Sequence, residues 1–545
     1  MTRRDKLIVL SLIGLLVVTS VVAILTDRSD ASASMPAFGG TYVEGVAGVP
    51  QYLNPIIAAT SVDRDASRLL FTGLTRYDRN GAIVPDIAAA FRTADARVWS
   101  FEIRPDATWH DGVEVTADDV VFTVGLLQDR AYVGPYRDAF RGVAVEALGP
   151  KSVRFTLPEA YGPFADSTTV PLLPSHLLVG ISYPELARQS FNASPVGTGP
   201  FKASELDGRQ IVLVRNASFY GTAPDRARPY LDRVVLRFYS DTSDALAALA
   251  RGEVDGVGGI ATGDAERART LRNVDLYSFP TNDFTAMYLN VRPEKAVFRD
   301  RAVRQAIATA IDRGRVMQVS IGGRGTLADE FVQSTSWAYV KDVTRYSYSL
   351  ASAKAMLDEA GWTDHDGDGV RDRDGVPLMF SVTTSDEAAR VTSGLQIVGD
   401  LNAAGMKVEL ATLPFGELVD KTARQRTFDA LLVGVTIPGD PDPYGFFHSS
   451  QAKDPGHNFS GYSTLPLDRD LELARRTFDL DARRALYAPV FQAIATDVPV
   501  VFLYFADYLY AMNRSVHGLK VATINDPMQR FWNAADWYVR TAPAR

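Results

Sequence analysis

The sequence lacks cysteine altogether. This absence excludes disulfide bonds, a catalytic thiolate, cysteine-ligated metal centres and the lipid-modified cysteine of a lipoprotein. Histidine is scarce, with 6 residues scattered along the chain and no HExxH motif, so a catalytic zinc site has little support. A GxSxG nucleophile elbow is also missing. A secreted hydrolase is therefore only a remote alternative, and we expect a protein that is not an enzyme and needs no cofactor.

Basic charge is limited as well. The chain carries 57 Lys and Arg against 65 Asp and Glu, a formal net charge of −8, and no block of Lys or Arg occurs beyond the N-terminus. That balance disfavours nucleic acid as a partner. Hydrophobic residues are plentiful, at 46% of the 545 residues, and suffice for sizeable cores. The length predicts two to four domains.

The N-terminus contains a long apolar run. Three basic residues in the segment 1–6 precede an uncharged stretch at 7–25, which would reach about 28 Å as a helix, close to the hydrocarbon thickness of a bilayer. We interpret 1–6 as a cytoplasmic segment, 7–25 as a transmembrane anchor or signal peptide, and 26–37 as a tether. Small residues at 31–33 offer a cleavage site, so anchoring and secretion both stay open. Either way, we expect the body of the protein outside the cytoplasm, in the periplasm or at the cell surface.

A clear local pattern lies between residues 378 and 436. Alternating β-formers and helical apolar spacing predict five elements in the order strand, helix, strand, helix, strand, at Leu378–Thr384, Ala388–Ala404, Met406–Leu413, Phe415–Arg424 and Phe428–Thr436. The apolar face of the first helix is expected at Val391, Leu395, Val398 and Leu401. The last strand is nearly continuously apolar, as in a parallel sheet that is buried on both faces. This βαβαβ unit should bind ligands beyond the carboxyl ends of its strands.

The segment that follows the last of these strands, Ile437–Tyr444 (IPGDPDPY), is well placed for a binding-site loop. Its two Asp-Pro pairs prevent a helix from continuing and define a turn. A rigid surface turn with solvated carboxylates is the alternative interpretation.

Further elements are predicted elsewhere in the chain. Helices are expected at Thr116–Leu127 with Thr116 as its cap, at Arg301–Val319, and at Ser349–Ala360, where Gly361 stops the helix. Strands are expected at 98–103, 152–157, 210–215 and 233–239. Together these elements predict a mixed α/β protein with several domains.

A series of loose motifs occurs in a characteristic order along residues 40–520. The motifs are Leu53-Asn54-Pro55 with Phe71–Leu74 (FTGL), Asp78–Pro85 (DRNGAIVP), Trp99–Arg104 (WSFEIR), Trp109–Val121 (WHDGVEVTADDVV), Pro195–Lys202 (PVGTGPFK), Gly252–Asp255 (GEVD), Phe298–Asp312 (FRDRAVRQAIATAID), Ala353–Gly375 and Phe428–Pro441. In this order they resemble family 5 of the ABC-importer solute-binding proteins, which includes the dipeptide, oligopeptide and nickel receptors.

The resemblance implies an α/β fold, periplasmic-binding-protein-like type II, with two lobes joined by a hinge and an inserted β-rich domain. Mapped onto this sequence, lobe I would comprise 38–75, 196–283 and 513–545. The inserted domain would be 76–195, and lobe II would be 284–512.

The function that the resemblance implies is that of the extracytoplasmic binding component of an ABC importer. It would capture a small-molecule ligand, an oligopeptide, by hinge closure and deliver it unaltered to the permease, acting as a monomer with its N-terminal segment at the membrane. The same fold could instead bind another cargo such as an oligosaccharide, a metal chelate or an opine.

The expected ligand-binding residues come from three segments that the resemblance brings together: Gln51, Tyr52, Leu53, Gly434, Val435, Thr436, Tyr508 and Tyr510. For the two tyrosines, core packing is the alternative. In peptide-binding relatives an Asp just after the lobe II strand pairs with the ligand's amino group, but here that position falls near Ile437 or Pro438. Asp440 or Asp442 could substitute from a shifted loop.

A second acidic segment, DHDGDG at 364–369, resembles the start of a calcium loop. Asp364, Asp366 and Asp368 place oxygens at alternate positions, but the twelfth position, where a bidentate Glu is required, is Gly375. We expect no other metal site. An Asp/Gly turn is the favoured interpretation of this segment.

Overall fold

The computed structural model describes residues 34–221, 228–437 and 439–543. The apolar run predicted at 7–25, its basic flank and most of the tether therefore lie outside the described residues. Among the helices of the described part, none has the length and apolar character that crossing a membrane requires.

A mixed sheet of eleven strands extends through the molecule. Ten of them lie edge to edge in the order Lys407–Leu413, Met379–Ser385, Ala430–Thr436, Val274–Leu289, Val500–Asn513, Gly256–Gly258, Thr41–Ala47, Arg233–Tyr239, Gln210–Arg215 and Phe201–Leu206. The eleventh strand, Gly325–Leu327, pairs with Val500–Asn513. We call the part of the sheet from Gly256–Gly258 onward lobe I, and the part from Lys407–Leu413 to Ala430–Thr436 lobe II.

Two long antiparallel strands, Val274–Leu289 and Val500–Asn513, connect the lobes. The first pairs with Ala430–Thr436 of lobe II, and the second pairs with Gly256–Gly258 of lobe I. Their own pairing is irregular between Pro280 and Phe284. Irregular pairing of this kind bends and twists strands locally, so the sheet changes direction where it passes from one lobe to the other.

The sheet of lobe I has a parallel core, in which Thr41–Ala47 pairs with Arg233–Tyr239 and with Gly256–Gly258. Three helices accompany these strands, at Ser61–Leu70, Thr242–Arg251 and Ala265–Arg269. Two strands predicted from the sequence, 210–215 and 233–239, are confirmed at Gln210–Arg215 and Arg233–Tyr239.

Lobe II confirms the predicted βαβαβ unit. Met379–Ser385 pairs in parallel with Lys407–Leu413 on one side and with Ala430–Thr436 on the other. The helices of lobe II are Ala296–Arg299, Arg301–Ala310, Arg313–Ile321, Leu350–Glu359, Ala388–Ala403, Phe415–Glu417, Tyr444–Phe447, Leu465–Arg476 and Leu480–Asp497. Phe415–Glu417 continues as a π-helical turn, Leu418–Ala423, so the second predicted helix is present but less regular than expected.

The predicted apolar face of the first helix in this unit was partly wrong. Leu395 is 61% exposed, and the residues that Ala388–Ala403 buries are Ser393, Gly394, Ile397 and Leu401. A Cβ atom on Gly394 would lie 2.5 Å from Leu410 Cδ1. The helix therefore packs through small as well as large residues, because at Gly394 the adjacent strand approaches too closely for a larger one.

The single helix predicted over Arg301–Val319 is two helices, Arg301–Ala310 and Arg313–Ile321. Asp312 separates them, and its Oδ1 accepts a hydrogen bond from the backbone N–H of Arg315 at 2.9 Å. The side chain of Asp312 thus caps a new helix, although the apolar spacing continues across the break. The helix predicted at Ser349–Ala360 is confirmed at Leu350–Glu359 with Ser349 as its cap.

A separate four-stranded antiparallel sheet lies outside the eleven-stranded one. Its strands follow the order Ala88–Thr93, Val98–Ile103, Ser152–Thr156 and Ala144–Gly149. The predicted strands 98–103 and 152–157 are thereby confirmed. Short helices near this sheet are Arg137–Phe140, Phe164–Ser167, Ser175–Leu178 and Tyr183–Leu186. Three further sheets have two strands each: Thr75–Tyr77 with Ile83–Pro85, Asp372–Arg373 with Val376–Pro377, and Ser34–Ala37 with Arg540–Pro543.

The helix Ala117–Leu127 packs against this small sheet, and Thr116 caps it as predicted. The backbone N–H of Thr116 donates to Asp119 Oδ2 at 2.9 Å. The same carboxylate is buried and also accepts from Trp109 Nε1 at 3.1 Å and from the N–H of Ser175 at 2.8 Å. The WHDGVEVTADDVV motif is thus a structural one, in which a single carboxylate joins three segments.

Glu330 is a carboxyl group in the core of lobe II. It is 3% exposed, and burial raises its pKa from the usual 4.5 to about 8. Its Oε1 accepts from the N–H of Val340 at 3.0 Å, whereas Oε2 has no hydrogen-bond partner among the described residues. A carboxyl in this environment is protonated in the folded protein over a pH range where it is ionised in the unfolded chain.

This difference predicts a pH-dependent stability. The folded-state pKa is raised, so the contribution of Glu330 is fully present below pH 4.5 and is lost as the pH rises through about 8. The unfolding free energy of the wild type should decline between about pH 5 and about pH 9. We expect this decline to be about 2–4 kcal/mol smaller in the Glu330→Gln protein. Guanidinium denaturation at both pH values measures it, with the exposed Glu359→Gln as the control. An unchanged decline in the Glu330→Gln protein would contradict the assignment.

Candidate functional site

A cavity of about 960 Å³ lies between lobe II and the region of the four-stranded sheet. We call it the cleft cavity. On the lobe II side it is lined by the end of the strand Ala430–Thr436, the first turn of the helix Ala388–Ala403, residues 415–426 and the segment 454–459. Tyr161 and Asp166 line it from the opposite side. The cavity is therefore bounded by two separate parts of the chain.

The strand end in this cavity has an open edge. On one side Ala430–Thr436 pairs with Val274–Leu289 along its whole length. On the other side its pairing with Met379–Ser385 is confined to Ala430 and Leu431, after which Thr384 Oγ1 donates to the carbonyl of Leu432 at 2.7 Å. Among the described residues, no strand thus pairs with the backbone groups of Val433–Thr436 on this side. Such an edge is a template on which an extended chain can pair.

Arg390 lies against this edge. A Cβ atom on Gly434 would lie 2.2 Å from Arg390 Nη2, so the glycine allows the guanidinium to cross the strand. Arg390 Nη1 donates to Thr285 Oγ1 at 2.8 Å, and Nε lies 3.9 Å from Glu387. The side chain is partly exposed and lines the cleft cavity, which gives this end of the cavity a cation for a polar ligand group.

The far end of the cleft cavity is mixed in character. Arg424 lies 3.6 Å from Asp454, and Arg426 Nη2 donates to the carbonyl of Gly456 at 2.6 Å. Burial, with a smaller contribution from Arg426, lowers the pKa of His457, so the neutral imidazole is favoured. Exposed and half-buried aromatic rings line the rest of the wall, among them Phe415. A concave site with apolar walls and a few polar groups is typical of ligand pockets.

The two aspartates of the predicted loop both line the cleft cavity, and both are bound by arginines. Asp440 accepts two hydrogen bonds from Arg483, from Nη1 at 2.8 Å and from Nη2 at 2.6 Å. Asp442 Oδ2 accepts from Arg475 Nε at 2.8 Å. Arg483 is 1% exposed, so the loop is fixed in position by a buried bidentate ion pair.

Across the cavity, the region of the four-stranded sheet contacts lobe II directly. The N–H of Gly162 donates to the carbonyl of Arg475 at 2.7 Å. The ring of Phe478 meets that of Trp99 edge-on, with centroids 5.0 Å apart. We call these contacts, together with those of Tyr77 and Asp166 to Gly439 and Asp440, the closing contact.

Tyr77 and Asp166 form the polar part of the closing contact. The Tyr77 O–H donates to Asp166, and a Cβ atom on Gly439 would lie 1.7 Å from Tyr77 Oη. Burial, and next the charge of Asp440, raise the pKa of Asp166 to about 7. The lobe II loop therefore lies against this pair with no room for a side chain at Gly439.

The structure brings together only some of the residues predicted from the sequence. Gly434, Val435, Thr436, Asp440 and Asp442 all line the cleft cavity. The remaining five do not line it: Gln51, Tyr52, Leu53, Tyr508 and Tyr510.

The remaining five residues are held or buried elsewhere in the structure. The N–H groups of Gln51 and Tyr52 both donate to Asp63 Oδ1, at 2.7 and 3.2 Å, and Leu53 is buried. The Tyr510 O–H donates to Glu44 Oε2 at 2.8 Å inside the core of lobe I. Burial also raises the pKa of Tyr508. For Tyr510, these contacts match the core-packing alternative.

Sequence reasoning missed the buried charges around Tyr510. Arg530 donates to Glu44 Oε1 from Nη2 at 2.9 Å and to Asp65 Oδ2 from the same nitrogen at 2.6 Å. Tyr42 donates to Glu44 as well. The partners are separated by up to 486 positions, so no local pattern could have indicated them.

The acidic segment at 364–369 forms a tight turn on the surface. Carboxylate oxygens of Asp364, Asp366 and Asp368 lie within 4.8 Å of one another. Both oxygens of Asp364 already accept backbone hydrogen bonds, from Gly367 at 2.8 Å and from Gly369 at 3.0 Å. The turn agrees with the favoured interpretation of this segment, and calcium binding stays an untested alternative.

The decisive comparison is with a family profile described as "Bacterial extracellular solute-binding proteins, family 5 Middle", which matches residues 82–458. The chain belongs to this family. Its similarity to curated members extends well beyond the matched segment. It is 30% identical over 521 residues to the oligopeptide-binding protein AppA of Bacillus subtilis, which covers 93% of each chain.

Solved structures of similar proteins agree with the assignment of this chain to family 5. AppA from Bacillus subtilis in complex with a nonapeptide has a TM-score of 0.67 at 29% identity, covering 93% of this chain and 100% of AppA. NikZ from Campylobacter jejuni in complex with Ni(L-His) has a TM-score of 0.69 at 27% identity, covering 91% and 99%. The substrate-binding protein CtaP of Listeria monocytogenes, at 23% identity, shows the fold alone, with a TM-score of 0.77 over 92% of this chain and 100% of CtaP.

These similarities confirm the predicted fold class, a mixed α/β fold of the periplasmic-binding-protein-like type II with two lobes. They also confirm the predicted role: this family 5 protein is a solute-binding protein. The family consists of extracellular receptors, so the body of the protein belongs outside the cytoplasm.

Proposed function

We propose that this family 5 protein is the binding component of an ABC importer and that it captures oligopeptides in the cleft cavity. The open edge at Val433–Thr436 carries the proposal, because an extended peptide can add to it as a strand. Main-chain pairing gives affinity that depends little on side chains, which suits a receptor for peptides of varied sequence. The similarity to AppA, whose structure holds a nonapeptide, supports the same cargo.

Within this proposal the predicted residues have different roles. Gly434, Val435 and Thr436 present backbone groups to the peptide. Asp440 supplies a carboxylate whose oxygens can each accept more than one hydrogen bond, so a peptide amino group can share it with Arg483. Arg390, at the other side of the edge, offers a cation to a ligand carbonyl or carboxylate.

Capture would proceed by movement of the lobes about the irregular pairing between Pro280 and Phe284. A ligand favours the closed arrangement because it gains contacts there that the open arrangement lacks. In the closed arrangement, the closing contact adds interactions between lobe II and the region of the four-stranded sheet. The protein would make or break no bond of the ligand and would hand it to the permease unaltered.

The domain division inferred from the resemblance fits this mechanism. We propose that 38–75, 196–283 and 513–545 form lobe I, that 284–512 form lobe II, and that 76–195 are inserted in lobe I. The position of the four-stranded sheet within 76–195 supports the inserted domain. We further propose that the segment 7–25 keeps the monomeric receptor at the membrane or directs its secretion.

A metal chelate is the second candidate cargo. The observation in its favour is His457, which lines the cleft cavity and whose neutral form is favoured by burial. Neutral imidazole is a common ligand of nickel. The similarity to NikZ, which was solved with Ni(L-His), points to the same class. Titration with nickel and histidine in the absence of peptide separates the two candidates, because only a chelate receptor binds the nickel–histidine complex.

Backbone methylation tests the peptide proposal directly. Mass spectrometry of material released by denaturing the purified protein would first identify a bound peptide. We expect N-methylation of its central residues to weaken binding at least about tenfold, about 1.4 kcal/mol, because it removes donors to the open strand edge. Calorimetry measures the affinities, with methylation at the peptide's last residue as the control. Equal affinity of both methylated peptides and the parent would contradict pairing on this edge.

A further inference from the structure

A second pocket, of about 140 Å³, lies on the lobe I side of the molecule. Its walls come from the helix Ser61–Leu70, the hairpin beginning at Thr75, the segment 132–136 and the C-terminal segment 522–532. Three arginines and five large aromatic residues line it: Arg64, Arg68, Arg76, Phe71, Tyr77, Tyr132, Tyr136 and Trp532. We call it the arginine pocket. Its volume is ample for a carboxylate with several attached atoms.

The charges that line the arginine pocket are unbalanced. Asp78 is the one carboxylate among its lining residues, and its Oδ1 accepts backbone hydrogen bonds from Asn80 at 2.8 Å and from Ala82 at 2.9 Å. Arg64 lies 3.4 Å from Asp526. Neither Arg68 nor Arg76 forms a salt bridge with a carboxylate of the described residues. The lining thus carries two guanidinium groups without a direct ion pair.

Arg68 shows the imbalance most clearly. Its Nε is buried and has no hydrogen-bond partner among the described residues. Burial lowers the pKa of Arg68, and Asp86 opposes that effect only in part. A guanidinium always carries its charge in a protein, so one whose buried Nε is an unused donor is stabilised by an anion that enters the pocket.

Asp86 is the carboxylate whose charge acts on Arg68, and it is shared. Its Oδ1 accepts from the Tyr220 O–H at 2.8 Å, and Arg76, Arg68 and Arg104 all act on its pKa from the surrounding side chains. Arg104 is itself paired with Asp106 at 3.1 Å. Asp86 is thus shared between Arg68 and Arg76, and among the described residues it forms a direct ion pair with neither.

The arginine pocket adjoins the cleft. Tyr77 lines the pocket and donates to Asp166, which lines the cleft cavity. Thr523 lines both the pocket and a narrow gap whose other walls include Trp337 and Gly439 of lobe II. A solute held between the lobes would reach the pocket through this gap.

We propose that the arginine pocket is a subsite for a carboxylate of the bound solute, so that the receptor selects solutes with an acidic group. This proposal rests on the proposed function. Arginine binds carboxylates through paired N–H donors, and Arg68 and Arg76 offer such donors without a competing ion pair. The aromatic walls accommodate the apolar atoms next to the carboxylate.

The first arm of the test uses glutarate alone and needs no peptide. At constant ionic strength, glutarate should raise the melting temperature of the wild-type protein by a few degrees in a concentration-dependent way. Arg68→Gln and Arg76→Gln should each abolish the shift, and Arg68→Lys should restore part of it. Arg92→Gln, at a surface side chain that is 79% exposed, should leave the shift unchanged. Equal shifts in wild type and both pocket variants would overturn the proposal.

The second arm compares tetra-alanine with its C-terminal amide, and the amide of Ala-Ala-Glu-Ala with that of Ala-Ala-Gln-Ala. The wild type should favour the acidic member of at least one pair about tenfold, and Arg68→Gln should remove that preference. The first pair reports a terminal carboxylate and the second an acidic side chain. Equal affinity within both pairs would overturn the subsite while leaving peptide binding intact. Failure of all four peptides with the glutarate response retained would overturn the peptide proposal and leave the subsite standing.

Discussion

Gly162→Val should weaken ligand binding about 100-fold, about 2.7 kcal/mol, without lowering the stability of the ligand-free protein. A Cβ atom at Gly162 would lie 2.0 Å from the carbonyl oxygen of Thr477, which is a backbone atom and cannot rotate away. In the proposed mechanism the clash exists only while the region of the four-stranded sheet and lobe II are in contact. The substitution therefore raises the free energy of the closed arrangement and leaves the open arrangement unaffected.

Calorimetry with the co-purified peptide measures the loss of affinity, and small-angle scattering measures the radius of gyration with and without ligand. Gly208→Val is a matched control, because a Cβ atom at Gly208 would meet nothing within 4 Å. The control should bind and close as the wild type does. Wild-type affinity in the Gly162→Val protein would show that the closing contact contributes nothing to capture.

Arg530→Met should lower the free energy of unfolding by about 3–5 kcal/mol, because it leaves Glu44 and Asp65 as uncompensated buried charges. The guanidinium binds both carboxylates within lobe I at distances of 2.6 to 3.0 Å, and the side chain is 3% exposed. Glu44, to which Tyr510 also donates, would lose its cationic partner.

Guanidinium denaturation at neutral pH measures this loss. The exposed Arg269→Met, at a surface ion pair of 3.6 Å, is the control and should cost less than about 1 kcal/mol. Adding Glu44→Gln and Asp65→Asn to Arg530→Met should recover part of the stability, since the uncompensated charges are removed. A loss below about 1 kcal/mol for Arg530→Met alone would contradict a stabilising role for the network.

Local patterns in the sequence were sufficient to predict the βαβαβ unit of lobe II. Its strands and helices each have a period that is visible within a short segment, so Met379–Ser385 and Ala430–Thr436 could be placed without knowledge of the rest. Local patterns were less reliable where the packing of neighbouring elements determines which residues are buried. Leu395 fits the apolar spacing of its helix, yet it is exposed because Gly394 is the residue that faces the sheet closely.

The candidate site could be predicted only in part for the same reason. The strand end at Gly434–Thr436 and the aspartates after it follow from the topology of a single unit, and all of them line the cleft cavity. The arginine partners of those aspartates, Arg475 and Arg483, follow 33 and 43 positions later in the chain with no local pattern to indicate them. The closing contact and the arginine pocket likewise depend on which segments the fold brings together.

Distance measurement between the lobes tests the central claim most directly. The chain has no cysteine, so Val133→Cys in the proposed inserted domain and Leu465→Cys in lobe II, at positions 78% and 86% exposed, can be labelled alone. With the co-purified peptide we predict that single-molecule energy transfer shifts from a low to a high value as the peptide concentration rises, and that mass spectrometry recovers the peptide unchanged. Saturating binding without any shift in energy transfer, or recovery of a cleaved peptide, would contradict capture of an unaltered solute between two moving lobes.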